Sequence, residues 1–450
     1  MSGRSQLEGL LTIISSAALA AAAEYEKFGS IPSIDSPQPH PLDSAHDTLA
    51  LKKSVRLLEG ACQQLCATLA SPQHTITNVV GSYDWACVRV AIRADITSIL
   101  AEHSDGLHVR ELAQKVNIDE RKLARILRLL ATRGCYSEAK PDVFSNNRLS
   151  LSLLSSGNVA NLAGMHTDAG VKAASVLFEN LTDPDTMFSN NPTHAPFMYA
   201  LREKGVSGTL FELMQSDPKK RENYHRAMIA LGSVTGSLSV LSLFPWGEVA
   251  TICDVGSGIG AFSLPLAKSY PHLHITCYDM PVVLIQAREH WASSAPEVLR
   301  SQQIDFLPLD FLHEMPKAGQ DVYYLRNIIH DWPDVEATTI LRNVQQAMAP
   351  HSRLLIEGFV LQFASREEIN DSTPGESGTE LAPEPMLPNF GAGNARMYES
   401  DMVMMLLHNA KERNLADCTK LGAIAGLSLA KIWDLGESSV LEFKLDTTCH

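Results

Sequence analysis

Residues 249–260 read Val249-Ala250-Thr251-Ile252-Cys253-Asp254-Val255-Gly256-Ser257-Gly258-Ile259-Gly260. A β-rich run stops in a glycine turn, and a helical pattern follows over residues 261–269. Glycines let a backbone turn sharply and approach a ligand closely, and in open α/β sheets ligands sit at the carboxyl ends of strands. The spacing is G-x-G-x-G rather than the G-x-G-x-x-G of pyrophosphate binding, and no Lys-Ser/Thr follows, which excludes a P-loop. Taken alone, the loop also reads as a plain strand-to-helix turn.

The rhythm continues downstream. β-rich runs at 273–278, 304–309, 322–325 and 353–359 alternate with helical patterns such as 337–348, and residues 430–435 and 439–445 form a hairpin across Gly436-Glu437 at the sheet edge. This alternation predicts an α/β Rossmann-like domain, a parallel sheet with helices on both faces. Residues 364–395, rich in Ser, Glu, Pro and Gly, read as a surface insertion.

Upstream the chain is helical. Residues 224–243 predict one long helix, preceded by a segment punctuated by Pro184, Pro192 and Pro196. Residues 110–134 give a helix, a turn and a second helix with Asp119 as N-cap, and residues 135–149 add a hairpin wing. Arg121, Lys122 and Arg125 on the second helix would suit DNA, but a net charge of −14 favours a winged-helix scaffold for protein contacts. An amphipathic helix is expected at 48–70, behind a Pro- and Ser-rich linker at 24–47. Residues 10–23 are apolar and read as a packed helix rather than a secretory leader. The resulting division is 1–47, 48–160 and 161–450, the last split into a helical segment (161–245) and an α/β core (246–450).

The 450 residues are 45% hydrophobic and 20% charged, the profile of a globular protein. No uninterrupted apolar run reaches the ~20 residues of a membrane helix. The eight cysteines include no C-x-x-C pair, so reduced thiols in the cytoplasm are expected. Partnership with nucleic acid or membrane is not expected.

Three further features carry chemistry. Asp279 ends the second β-run, where a carboxylate can accept from two ribose hydroxyls; it also suits a helix N-cap, since Met280-Pro281 follow. Asp310-Phe311 end the third, pairing an acceptor for an exocyclic amine with a stacking surface. After the fourth comes Leu325-Arg326-Asn327-Ile328-Ile329-His330-Asp331-Trp332-Pro333-Asp334.

On this His-Asp-Trp motif, with the loop and the two acids, the chain over residues 80–445 resembles the class I S-adenosylmethionine-dependent O-methyltransferases of the caffeate/hydroxyindole type, fungal polyketide members included. The resemblance implies a mainly α winged-helix dimerisation domain ahead of the Rossmann-like domain, and a homodimer with interlocked N-terminal helices. It implies that Asp254, Gly256 and Gly258 face the cofactor's amino-acid part, Asp279 and Met280 the ribose, and Asp310 and Phe311 the adenine. Arg326 stands where many members have Lys, and Ser257 replaces the usual middle glycine. His330 is implied as general base beside Asp331, flanked by Glu357 and Glu412. The cofactor is S-adenosylmethionine, leaving S-adenosylhomocysteine, and no metal is needed because the sulfonium already activates the methyl. Met198, Met228, Trp332, Met404 and Met405 could line an apolar slot for a small aromatic hydroxyl compound, with a phenolic polyketide as the leading class; ordinary helix core is the competing reading for each. Lone histidines such as His272 and His408 read as core or surface residues. The alternatives are a protein of this fold that binds the cofactor but catalyses a rearrangement, and a winged-helix regulatory protein.

Overall fold

The computed structural model describes residues 2–45, 48–366 and 380–446. Two helices open the chain: α1, Gly3–Glu26, and α2, Leu49–Leu69. They pack on each other, with Leu10 and Ala61 at the seam. α1 is long and apolar enough to cross a membrane, which the count of uninterrupted apolar residues passed over. The seam also takes in Ala382, Met386 and Phe390. The expected surface insertion is therefore partly wrong: residues 380–390 lie against the helix pair, with the Arg56 guanidinium 3.9 Å from the Phe390 ring centroid. Residues 367–379 lie outside the described residues.

The winged unit follows the expected pattern. α3, Val109–Val116, ends at Asn117 in the left-handed conformation, and α4, Glu120–Thr132, is capped by the Asp119 carboxylate accepting from the Lys122 amide at 3.1 Å. Leu112, Leu123, Leu127 and Phe144 form its own buried core. The wing pairs Ser137–Lys140 with Val143–Ser145, and Leu107–His108 joins the latter's other side.

The expected helix at 224–243 is instead two pieces. α5 runs Pro218–Thr235, Gly236 takes φ +78°, and the chain resumes as a short turn and Val240–Leu243, bent by 64°. The left-handed φ stops the helix, and the Leu435 carbonyl leaves no room for a Cβ. This break places Ser237 at the end of the sheet.

That sheet has seven strands: β1 (Thr251–Val255), β2 (His274–Asp279), β3 (Ile304–Pro308), β4 (Val322–Arg326), β5 (Arg353–Gly358), β6 (Leu427–Asp434) and β7 (Ser439–Leu445). Their order is β6-β7-β5-β4-β1-β2-β3, with only β7 antiparallel to its neighbours. The hairpin thus inserts its second strand beside β5 and leaves its first at the edge. One face is packed around Trp246, Phe262, Trp291 and Leu266, and the other around Leu325, Ile340, Leu341 and Phe443. β1 is the strand from which the chain first builds one way, to β2 and β3, and then the other, to β4. Ligands bind at the carboxyl side of such a switch.

Gly236→Ala is expected to cost at least about 1–2 kcal/mol through the left-handed φ. Gly247→Ala, with open space around its Cα, should be close to neutral. Urea midpoints of the two variants check this.

Candidate active site at the strand ends

The glycine turn after β1 is held by the next strand. Gly256 and Ser257 amides both donate to the Tyr278 carbonyl, at 2.8 and 2.9 Å, and the Gly258 amide donates to Asp279 Oδ2 at 2.8 Å. Gly256 has φ +76°, and a Cβ there would run into Ile328. Asp279 Oδ1 accepts from the Met280 amide at 2.8 Å, so the carboxylate ties the loop to the helix start. Burial pushes its pKa up to about 6 against those two hydrogen bonds. Asp254 is buried and accepts from Ser263 Oγ. Burial raises it to about 7, while Ser263 and the Arg326 charge pull it down.

These groups open on a cavity of about 330 Å³. Every residue assigned to the cofactor from the sequence lines it: Asp254, Gly256, Gly258, Asp279, Met280, Asp310, Phe311 and Arg326. Asp310 accepts from the Leu312 amide at 3.1 Å and meets His313 Nδ1 at 2.9 Å. Phe311 stands edge-on to Trp332, with centroids 5.8 Å apart. Arg326 Nη2 donates to the Met228 carbonyl at 3.3 Å, whereas Nη1 is buried with no hydrogen-bond partner among the described residues.

Of the five side chains read as an apolar slot, Met228 and Trp332 line the cavity. Met198, Met404 and Met405 do not. Met198 is core beside Phe197 and Leu407, Met404 is buried, and Met405 is half-buried outside the cavity. The sequence reading missed Phe211, Met214, Tyr224 and His225, which do line it. Three- and four-residue steps from Arg221 through Tyr224 and His225 to Met228 put those four on one face of α5, and that spacing was the available signal for Tyr224 and His225; Phe211 and Met214 lie on the preceding helix, Leu210–Gln215.

His330 sits in the single-turn helix Ile329–Asp331. Its Nδ1 lies 2.7 Å from Glu412 Oε1, with the glutamate 2% and the histidine 11% exposed. Ser400 Oγ donates to Glu412 Oε1 at 2.9 Å, and the Glu412 amide donates to Asp401 Oδ1 at 2.8 Å. With its proton on Nδ1 and directed at the carboxylate, neutral His330 leaves Nε2 as an acceptor. Burial pulls the pKa of His330 down, but Glu412 and then Asp331 outweigh it and hold it at about 9. Asp331 Oδ1 is 3.7 Å from His330 Nε2 and 3.8 Å from His408 Nε2. Of the two readings offered for His408, core or surface, the structure gives core. It is buried behind Asp331, against the Phe211 ring at 4.9 Å, and burial lowers its pKa.

Glu357 departs from its expected place. Its carboxylate accepts from Ser237 Oγ and Tyr324 Oη, and no hydrogen bond or ion pair joins it to His330 among the described residues. Burial raises its pKa, while Arg326 opposes the rise. The second acid beside the imidazole is Asp331. His330, Glu357 and Glu412 border a separate cavity of about 40 Å³; Asp331 and Trp332 line the large one, and His330 itself does not.

Comparison with known proteins gives a consistent outcome. Residues 178–428 match the O-methyltransferase domain, and residues 79–156 match the O-methyltransferase dimerisation domain. The chain is 37% identical to 3-O-methyltransferase 2 of Phanerochaete chrysosporium, over 97% of each protein. Among solved structures it is similar to mitomycin 7-O-methyltransferase, with a TM-score of 0.66 and 24% identity over 83% of this chain and 97% of that one. It is also similar in fold to a pericyclic reaction enzyme, with a TM-score of 0.66 and 19% identity over 90% and 98% of the two chains. With more than half its length matched by the domain model and nearly all of it by a relative, the chain belongs to the O-methyltransferase family and is an O-methyltransferase.

Proposed function

We propose that the protein moves a methyl group from S-adenosylmethionine to a hydroxyl of a small aromatic metabolite, with His330 accepting the hydroxyl proton. The buried His330–Glu412 contact at 2.7 Å carries this reading. The cavity fits the cofactor. Arg326 Nη1, with no hydrogen-bond partner among the described residues, is a donor for an amino-acid carboxylate, Ser257 lines the same cavity, and Gly256 bares its backbone. Asp279 would hold the ribose beside Met280, and Asp310 and Phe311 the adenine. When bound, this cofactor supplies a methyl activated by its sulfonium.

This chain's residues do the rest. Phe211, Met214, Met228 and Trp332 offer an apolar wall to a flat ring. A phenol, with a pKa of about 10, is a weak nucleophile until its proton leaves. Nε2 of His330 takes that proton, and Glu412 fixes the tautomer and stabilises the imidazolium. A phenolic polyketide is the leading substrate class. The relative's methylated 3-hydroxyl points to one defined position on its own substrate.

The active form is proposed to be a homodimer. Leu11 and Leu19 on α1, with Leu69, Ile76, Val79 and Val80 beyond it, are exposed, and a second copy would cover them. The mass by light scattering should be twice that of the 49.1 kDa chain; a mass of one chain would refute the dimer.

His330→Ala should bind S-adenosylmethionine as wild type does by calorimetry, and lose about 10²–10⁴-fold in kcat on a phenolic panel. Turnover at the wild-type rate would remove the base assignment.

The pH dependence follows from the same pair. His330 is held above the ordinary histidine value, so it carries its proton through neutrality and frees Nε2 only as pH rises. kcat/KM should climb to an inflection near 9, and Glu412→Gln, lacking the anion, should move that inflection down. A profile unmoved by the substitution would contradict the assignment.

A further inference from the structure

We infer that Arg413 is a positioning residue for the reaction: it fixes the backbone of the turn that carries His330, on both sides of the base. This rests on the reading of His330 as the base.

Arg413 is 3% exposed, and all of its guanidinium nitrogens are committed. Nη1 donates to the Ile329 carbonyl at 2.8 Å, and Nη2 donates to the Trp332 carbonyl at 2.8 Å. These two carbonyls bracket the turn Ile329–Asp331. Nε and Nη2 also reach Asp334 Oδ1, at 3.0 and 2.8 Å, which aligns the plane of the group. The preceding residue is Glu412, whose carboxylate holds the imidazole. Two consecutive residues therefore fix the base from different ends, one by its side chain and one by its backbone. The dipeptide is itself anchored, because Arg413-Asn414 pair in parallel with Val360-Leu361 just beyond β5.

A planar fork suits this task and an ammonium does not. Lysine has three donors on a flexible stem and cannot span two carbonyls on either side of a turn in one fixed geometry. If the turn loosens, Nε2 loses its fixed line to the substrate oxygen, and misplacement by about 1 Å can cost ~10²-fold in rate. Except for Arg326, which is anchored in β4 ahead of the turn, the cofactor residues lie on other segments and keep their places.

The charged and titratable groups around His330 are Glu412, Asp331 and Arg413, with His408 beyond Asp331. This separates two variants. Arg413→Lys keeps the cation and loses the bracket. Arg413→Gln loses both, and the departing cation lets the imidazolium persist to higher pH.

Rates are measured per S-adenosylmethionine-binding site, titrated by calorimetry, so that any unfolded fraction drops out. Arg413→Lys should lose at least tenfold in kcat with cofactor affinity within twofold and the pH inflection in place. Arg413→Gln should lose as much and move the inflection upward. Wild-type kcat per site in Arg413→Lys overturns the inference, as does a loss seen only in cofactor affinity. Should neither chain fold, Asp334→Ala, which frees the plane of the guanidinium from the surface side, is read in the same way. A three- to tenfold loss per site supports the inference, and an unchanged rate overturns it. His330→Ala run in parallel separates the two readings. If it turns over normally, the base assignment fails and the inference with it. If it is inactive while Arg413→Lys is fast, only the role of Arg413 fails.

Discussion

An imidazole and a carboxylate held 2.7 Å apart and out of water must be fixed from several sides. The desolvation of such a pair costs several kcal/mol and is offset only when the geometry is good and the remaining polar atoms are satisfied. His330 and Glu412 meet this demand with parts that are 82 residues apart in the chain. Ser400 and Asp401, on the helix Ala395–His408, hold the glutamate, and Arg413 holds the turn bearing the histidine. The pair can therefore form only where the end of β4, that helix and the segment after it converge. The seven-stranded order makes that place the carboxyl side of the sheet, where the glycine turn also lies.

The other half of the site has a different electrostatic character. Asp254 and Glu357 are buried, with Asp279 half-buried near Asp254, and desolvation pushes each pKa up. Arg326 is the cation that opposes this at Asp254 and Glu357, and its Nη1 has no partner among the described residues. A low-dielectric cavity with more carboxylates than cations favours a positively charged ligand, and a spare guanidinium donor favours one that also carries a carboxylate. An amino-acid sulfonium satisfies both demands.

The sheet and its loop were legible because strand period, glycine spacing and terminal acids all act locally. What stayed hidden depends on direction and distance. Glu357 sits in β5 opposite Arg326, but which neighbours its carboxylate meets depends on Ser237, and Ser237 arrives only because the helix before it breaks at Gly236. Met198, Met404 and Met405 read as part of a slot because methionine is apolar and adaptable, a character that does not show which surface it meets. Met198 and Met404 met the core instead. His408 is core, as one of its two readings had it, but its neighbour Asp331 is distant in sequence and could not be read. The stretch around Met386 and Phe390 looked like a polar insertion because two large anchors count for little in a composition average. Both are almost wholly buried, at 3% and 1% exposure.

The fold by itself does not choose the reaction, since a pericyclic reaction enzyme shares it; on the proposed reading, His330 and the charges around it would do so. A histidine at its ordinary value of about 6.5 would take a proton from a phenol of about 10 uphill by about 5 kcal/mol. At about 9, His330 would face a step of only about 1.4 kcal/mol. The same shift leaves the free imidazole mostly protonated at neutral pH, which would idle the base. A cation seated in the neighbouring cavity would lower the pKa of the imidazole and of a phenol beside it alike, so that Nε2 is freed nearer neutrality while the gap between the two partners stays small. Glu412 and Asp331 would thus strengthen the proposed base, and a charged ligand beside it would make that base available.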